Sequence, residues 1–430
     1  MSQGERPYIE GAAGAVAALD SGDWRRFLAE QRWYTSKAAR ASSVRAAHVI
    51  PLPWGDGAFA IAIVDVTVDD RVDRYQVPVA LREAAPLDLP AHALIARAAF
   101  GVLYDAVVDA DFRAGLGGAI AGGVAAHDGR GSAWTVEPVG VAPQQSGATV
   151  RSSVGSGEQS NTSIVFDDAA ILKLFRTLKP GTQPDVEVTE FLNTRTSFTN
   201  TPRLLAVITL EESESTERTT AGMAQRFVAG ATDAWRYALE RGHAQFAAPP
   251  ERDLPNAFTD DARRLGAITR AMHEALASAD DDDQDAAAFV PDAATPGDAE
   301  VWAERTKRSV REALSMLERA IGGASFPADH AAEAKALAQR CDHYLGWIDE
   351  LVDDLGDDLG MLTRVHGDFH LGQVLRAQSG DFMVIDFEGE PARPLDERRE
   401  KTSPLRDVAG MLRSFAYAAA TLAMTAGAAL

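Results

Sequence analysis

The chain has 430 residues, enough for two or three domains around a substantial core. Apolar residues make up 46% of it, an ordinary globular share that argues against general disorder. A formal charge of −21 at pH 7 leaves no basic surplus to track nucleic-acid phosphates or an anionic membrane, so the expected partner is a small molecule.

In chain order, the start from Met1 to Pro7 carries no apolar signal-peptide core. Asp23 to Tyr34 reads as an amphipathic helix with aromatic anchors. Ala58 to Val68 and Arg74 to Leu81 read as strands about an Asp69-Asp70 turn. An alanine-rich helix is expected from about Ala91 to Phe112, then a flexible connection over the glycine-rich stretch Gly115 to Gly131. Strands resume near Ala133, and Ser163 to Phe166 and Ala170 to Phe175 flank Asp167-Asp168-Ala169, a hairpin signature. A helix is expected to start at Asp185 with that residue as N-cap. A further strand pair is expected between Arg203 and Phe227.

Beyond Gly230 the pattern is mostly helical, broken by the acidic run Asp280 to Asp285, which reads as a solvated loop. The one cysteine, Cys341, cannot close an internal disulfide, fits a reducing cytoplasm, and lies in a plain helical pattern. Phe415 to Leu430 is too short and interrupted to span a bilayer and reads as a helix packed in a core. The expected fold class is α+β, in three parts. These are an N-terminal α+β cap subdomain over 1–90, an intermediate and nucleotide-binding N-lobe over 91–230, and a mainly helical C-lobe over 231–430.

The stretch His366-Gly367-Asp368-Phe369-His370-Leu371-Gly372-Gln373, followed by the apolar Phe382 to Ile385 and then Asp386-Phe387-Glu388, carries the chemistry. In protein kinases a catalytic-loop Asp precedes an Asn metal ligand by five residues, and a second Asp opens an Asp-Phe-Gly turn. Asp368 has Gln373 at that offset, and Asp386 opens Asp-Phe-Glu. Asp368 is then the base facing the acceptor hydroxyl, with Gln373 and Asp386 holding Mg²⁺ against the phosphates of ATP. A lone loop aspartate more often caps a turn; the pair at this spacing, behind an apolar strand, singles out phosphotransfer.

The rest of a nucleotide site is also legible. Val154 to Ser163 is a Gly/Ser-rich loop before a strand, with Ser160, Asn161 and Thr162 as donors toward phosphate. No Gly-Lys-Ser/Thr closes it, so it is not a Walker loop. Lys173, between Leu172 and Leu174 on a strand, is expected on the α/β-phosphates, paired with Glu187 or, one turn on, Glu190. Met223 to Val228 takes the place of a hinge, where Gln225 and Val228 offer backbone groups to adenine.

Val365 to His370 resembles the aminoglycoside-phosphotransferase-like kinases, which have the protein-kinase fold and act on small molecules. His366 to Arg376, Ile385 to Pro391, Pro394 to Arg399 and Ser403 to Gly410 are similar, more specifically, to bacterial maltokinases, as are Gln31 to Tyr34 and Glu158 to Ser163. That resemblance implies ATP-dependent phosphorylation of maltose at its anomeric hydroxyl, for α-glucan synthesis in the cytoplasm, with trehalose or α-glucan enzymes as associates. It also implies that His366 braces the catalytic loop, that His370 and Arg406 contact the sugar, and that Asp407 is a structural partner of the loop. Maltokinases continue for several helices past the segment matching Arg413 to Tyr417, so this chain, ending at Leu430, reads as shortened or diverged there. Another acceptor, such as glucosamine, another hexose derivative or an aminoglycoside, is the nearest rival; a non-catalytic kinase-like binding module is the rival of another class.

Overall fold

The computed structural model describes residues 11–35, 37, 41–98, 101–140, 151–155, 160–213, 215–247, 257–323, 326–356, 359–391 and 393–427. They form two compact bodies. One comprises Met1–Ala271, His366–Arg398 and Gly410–Leu430, the other Met272–Val365 and Arg399–Ala409.

The first body begins with α1 (Gly11–Ala17) and α2 (Ser21–Glu30), the latter opened by an Asp20–Asp23 capping box. They pack on a sheet of β1 (Ser43–Pro51), β2 (Phe59–Val68), β3 (Arg71–Arg82), β4 (Leu94–Ala98) and β5 (Gly101–Asp105), in the order β1-β2-β3-β5-β4. Phe59–Val68 is buried along almost its whole length because both faces of this sheet are covered. One face packs with Trp24, Phe27 and Leu28 of α2, and the other joins the core of the next sheet.

The helix expected from Ala91 to Phe112 is instead the β4–β5 hairpin. Alanine content suggested helix, yet Leu103 buries on the α2 side while Val102 and Tyr104 bury on the opposite side, a two-residue period that only a strand provides. The sheet thus extends past residue 90 to Asp105. The connection expected over Gly115 to Gly131 is largely α3 (Ala110–Gly122), capped by Asp109, with Phe112, Leu116 and Ile120 buried one turn apart.

The second sheet comprises β6 (Val124–His127), β7 (Ala133–Pro138), β8 (Ser152–Val154), β9 (Asn161–Phe166), β10 (Ala170–Phe175), β12 (Leu204–Glu211) and β13 (Thr219–Arg226), ordered β6-β7-β12-β13-β10-β9-β8. Between β10 and β12 come the short β11 (Thr177–Leu178), which pairs with β3, and α4 (Pro184–Arg195). Asp167 and Asp168 both adopt positive φ and close the expected β9–β10 hairpin.

Next come β14 (Thr232–Asp233), α5 (Ala234–Ala247) and α6 (Ala257–Leu276). The second body then holds β15 (Asp292–Ala293), α7 (Pro296–Ile321), α8 (Ala328–Ala338), α9 (Cys341–Asp354) and β16 (Met361–Leu362). Cys341 opens α9. Back in the first body, β17 (Val374–Arg376) pairs with β14 on one side and with β18 (Phe382–Val384) on the other. In chain order α10 (Leu395–Arg399) then precedes α11 (Leu405–Gly427). No described helix is long and apolar enough to cross a membrane. The expectation that the last helix packs in a core holds for one stripe only: Met411, Ser414 and Ala418 are buried, whereas Leu412, Tyr417 and Met424 are at least 60% exposed.

The first and second sheets are fastened by Gln76 of β3, which is fully buried. Its amide donates to the carbonyls of Phe175 (3.0 Å) and Ala221 (2.9 Å) and accepts from the Trp134 indole (2.7 Å). Replacing it with leucine (Gln76→Leu) strips three buried groups of their partner. That change is expected to cost about 3 kcal/mol of stability in a urea titration. A loss under about 1 kcal/mol would show that the seam does not depend on this amide.

Candidate active site

Lys173 projects from β10, where its strand neighbours are Ser163 of β9 and Met223 of β13. Its ammonium meets Asp185 at 2.8 Å, Glu388 at 3.2 Å and, in a very short contact, Asp386. The helix carboxylate on Lys173 is thus Asp185, the role expected of Glu187. The reason is where α4 begins: Pro184 takes its first position and Gln183 its N-cap, so Asp185 lies inside the first turn rather than capping it. From there one carboxylate oxygen of Asp185 takes Lys173 and the other accepts from the Phe387 amide at 2.9 Å. Glu187 is half-buried on the same helix and Glu190 is exposed.

Charge explains the titration of this group. Burial works against a charged Lys173, but Asp185, Glu388 and Asp386 outweigh it and hold the ammonium well above its ordinary pKa. Burial also opposes ionisation of Asp386, yet Lys173, with a hydrogen bond from Gln373, keeps that carboxyl below its usual range. Glu388 goes the other way: burial, together with the charges of Asp386 and Asp185, raises it despite Lys173. Three carboxylates facing one ammonium leave a formal surplus of negative charge that a divalent cation would neutralise. Oxygens of Asp185, Asp386 and Glu388 lie within 4.8 Å of one another. This hard-oxygen set fits Mg²⁺.

The catalytic-loop residues converge on the same place. His366 is buried, its Nε2 donating to the Ile385 carbonyl at 2.9 Å and its Nδ1 accepting from the Asp368 amide at 3.4 Å. Its ring packs between Phe369 and Phe387, at 5.2 and 5.0 Å. It therefore does brace the loop, fixing Asp368 against the Asp386 turn. Gln373 is joined to that turn by the Ile385 amide, which donates to its carbonyl at 3.0 Å. The crossing needs tight backbone: Gly367 and Gly389 both have positive φ, and a Cβ on Gly367 would lie 3.3 Å from Gly389. Asp386 itself sits at φ 69°, an uncommon conformation for aspartate.

Two cavities flank this centre. One is lined by Ser163, Ile171, Lys173, Met223, Gln225, Phe227, Val228, Leu375, Ile385 and Asp386, and so joins the expected hinge to Lys173 and Asp386. The Gln225 amide donates to Thr189 at 3.4 Å, while Val228 lies on the cavity wall. Ser160 is exposed at the end of the Gly/Ser-rich loop; Ser156 to Gln159 lie outside the described residues. Asn161 donates to Glu388 at 2.9 Å. Thr162, expected toward phosphate, instead accepts from Arg176 at 2.8 Å, because alternation along β9 gives the cavity-side position to Ser163.

The second cavity, about 390 Å³, lies beside the catalytic loop and is lined by Asp233, Trp235, His370, Gly372, Gly410, Arg413, Ser414 and Tyr417. His370 Nε2 is 4.0 Å from Asp368 there. Arg406, expected with His370, belongs to the second body; the α11 arginine on this cavity is Arg413. Asp407 pairs with His273 at 2.9 Å, and Ser414 accepts from the Leu371 amide of the catalytic loop. Asp233, Trp235 and Arg413 escaped sequence reasoning because they are distant in sequence and carry no motif. Glu388, which the sequence offered only as part of the Asp386-Phe387-Glu388 turn, sits on Lys173.

Comparison with known proteins agrees with this architecture. Residues 27–109 match the maltokinase N-terminal cap domain. A glucosamine kinase of Streptacidiphilus jiangxiensis is 30% identical over 259 residues, 60% of this chain and 52% of that protein. One of Mycolicibacterium smegmatis (strain ATCC 700084 / mc(2)155) is 28% identical over 263 residues, 61% of this chain and 58% of its own. The matches thus span little more than half the length of these curated relatives. A solved structure of glucosamine kinase with glucosamine, ADP and inorganic phosphate superposes with a TM-score of 0.60 at 24% identity, over 97% of this chain and 81% of that one. This last is a likeness of fold, and it gives the chain a capped, kinase-like architecture.

Gly410 lies where α11 touches the catalytic loop: a Cβ there would be 2.7 Å from the Phe369 carbonyl oxygen. Helix propensity alone would favour Gly410→Ala by about 1 kcal/mol. The backbone clash should reverse that sign and give a net loss of about 1–3 kcal/mol in chemical denaturation. A stabilised Gly410→Ala protein would mean that α11 does not press on the loop.

Proposed function

We propose that this chain, a member of the maltokinase and aminoglycoside-phosphotransferase-like kinases, transfers the terminal phosphoryl group of ATP to a hydroxyl of a small sugar. One observation carries the reading. Lys173 and Asp386 meet on the wall of an apolar cavity, Gln373 bonds Asp386, and His366 ties Asp368 to the same turn.

The residues divide the work. Gln225 and Val228 flank the base-sized end of the cavity, and Lys173 is held charged where α/β-phosphates would run. Gln373 and Asp386 would hold Mg²⁺, with Glu388 and Asp185 close enough to share it. Bound there, the cation supplies charge neutralisation for the phosphates. Asp368 orients the acceptor hydroxyl and takes its proton as the new O–P bond forms and the γ-phosphorus parts from the β,γ-bridging oxygen, which leaves with ADP. Trp235 and Tyr417 offer ring faces to a sugar, and Asp233, His370 and Arg413 offer polar contacts.

For the acceptor, the two curated relatives support glucosamine, and Asp233 is a carboxylate suited to its ammonium group. Maltose phosphorylated at O1 is the second reading, favoured by the maltokinase-type cap. A panel of glucosamine, maltose and glucose with Mg-ATP, with the phosphate located by NMR of the product, tests both. A kcat/KM preference for glucosamine supports the first, a preference for maltose the second, and turnover of none removes the sugar-kinase reading.

Asp368→Asn is expected to lower kcat by about 10²–10⁴-fold while nucleotide binding stays within a few-fold. Near-normal turnover would reassign the base. Asp386→Ala and Gln373→Ala should both raise the Mg²⁺ needed for half-maximal rate, Asp386→Ala by more, since a carboxylate binds a hard dication better than an amide. An unchanged Mg²⁺ titration in Asp386→Ala would place the metal elsewhere.

A further inference from the structure

Arg176, immediately after β10, is 1% exposed, and its guanidinium is held from the cap side. Nη2 donates to Asp105, the last residue of β5, at 2.7 Å, and the guanidinium lies 5.1 Å from the Trp33 ring. Nη1 reaches the Gln76 carbonyl at 3.5 Å. Its remaining donor, Nε, goes to the Thr162 hydroxyl at 2.8 Å. Thr162 is the second residue of β9, directly after the Gly/Ser-rich loop. On one side of it Asn161 bonds Glu388, and on the other Ser163 lines the nucleotide cavity.

The planar fork of a buried arginine has fixed directions, so anchoring two of its nitrogens fixes the third. Taking such a charge out of water is costly unless every donor is matched. A packing role alone would be met by an apolar side chain. What this guanidinium adds is a rigid link from Asp105 and Trp33 of the cap to the first turn of chain beyond the loop.

We propose that Arg176 is a positioning residue: through the Thr162 hydroxyl, the cap sets where Asn161 and Ser163 stand at the nucleotide site. The proposal rests on the phosphotransfer reading. It makes the cap a determinant of nucleotide affinity, although the contact lies on the opposite face of β9 from the nucleotide cavity.

The test uses the full chain and two readouts: Mg-ADP affinity by calorimetry, and amide hydrogen exchange of residues 161–164. Thr162→Val keeps the shape and removes the acceptor oxygen. It is expected to weaken Mg-ADP by about five- to tenfold and to speed exchange in that segment. Thr162→Ser keeps the hydroxyl and should restore most of both. Asp105→Asn, acting from the cap side, should shift both readouts in the same direction as Thr162→Val, which keeps the test open if the valine variant does not fold. A purely structural role would lower Tm and leave the affinity of the folded protein unchanged; that result overturns the proposal. If the unmodified chain binds no ADP, the phosphotransfer reading fails separately. Exchange then decides alone, and unchanged rates at 161–164 in Thr162→Val and Asp105→Asn refute the link.

Discussion

A single buried ammonium organises the first body. Lys173 cannot leave water without compensation, and its compensation comes from two other parts of the chain: Asp185 at the start of α4, and Asp386 and Glu388 on the turn after β18. Each carboxylate is in turn costly to bury without the lysine. The result is mutual dependence, in which β10, α4 and a segment more than two hundred positions downstream must all be present before any of the four charges is well placed. Asp185 tightens the arrangement by also taking the Phe387 amide.

The catalytic loop is built on backbone rather than on packing volume. Gly367 and Gly389 both take a positive φ that side chains rarely adopt, with a Cβ on Gly367 only 3.3 Å from Gly389, and Asp386 accepts a left-handed conformation to present its carboxylate. The His366 ring converts that crossing into a fixed geometry, bonding the Ile385 carbonyl on one edge and the Asp368 amide on the other. Rigid support of this kind would suit the proposed phosphoryl transfer, whose catalysis is mainly alignment and charge stabilisation.

The cluster around Asp386 was the most legible part of the sequence. The offsets joining Asp368, Gln373 and Asp386 are short, and the structure brings Gln373 onto Asp386 and ties Asp368 to the same turn through His366. The β9–β10 hairpin was readable for a similar local reason, through its Asp167-Asp168 turn. Longer-range choices were not. Whether Ala91 to Asp105 forms helix or strand depends on there being a core on each side of the sheet, which alanine-rich composition does not reveal. The identity of the Lys173 partner turned on one residue of helix phase, with Pro184 moving the start of α4 and bringing Asp185 rather than Glu187 inward. Thr162 was misdirected for the same reason, since strand alternation is a property of register. The cavity beside the catalytic-loop segment gathers Asp233, Trp235 and Arg413 from distant segments, and no spacing rule joins them.

The Gln76 amide has a consequence for how such a protein is inherited and taken apart. Its three buried partners lie on strands of the second sheet, so the surface it covers is not one that water has to reach in the native state. Cutting the chain between the sheets would expose unpaired carbonyls, an indole N–H and a broad apolar face together. The first and second sheets therefore form one cooperative folding unit. A shuffling event that moved the lobe without its cap would have to redesign the lobe's back wall at the same time.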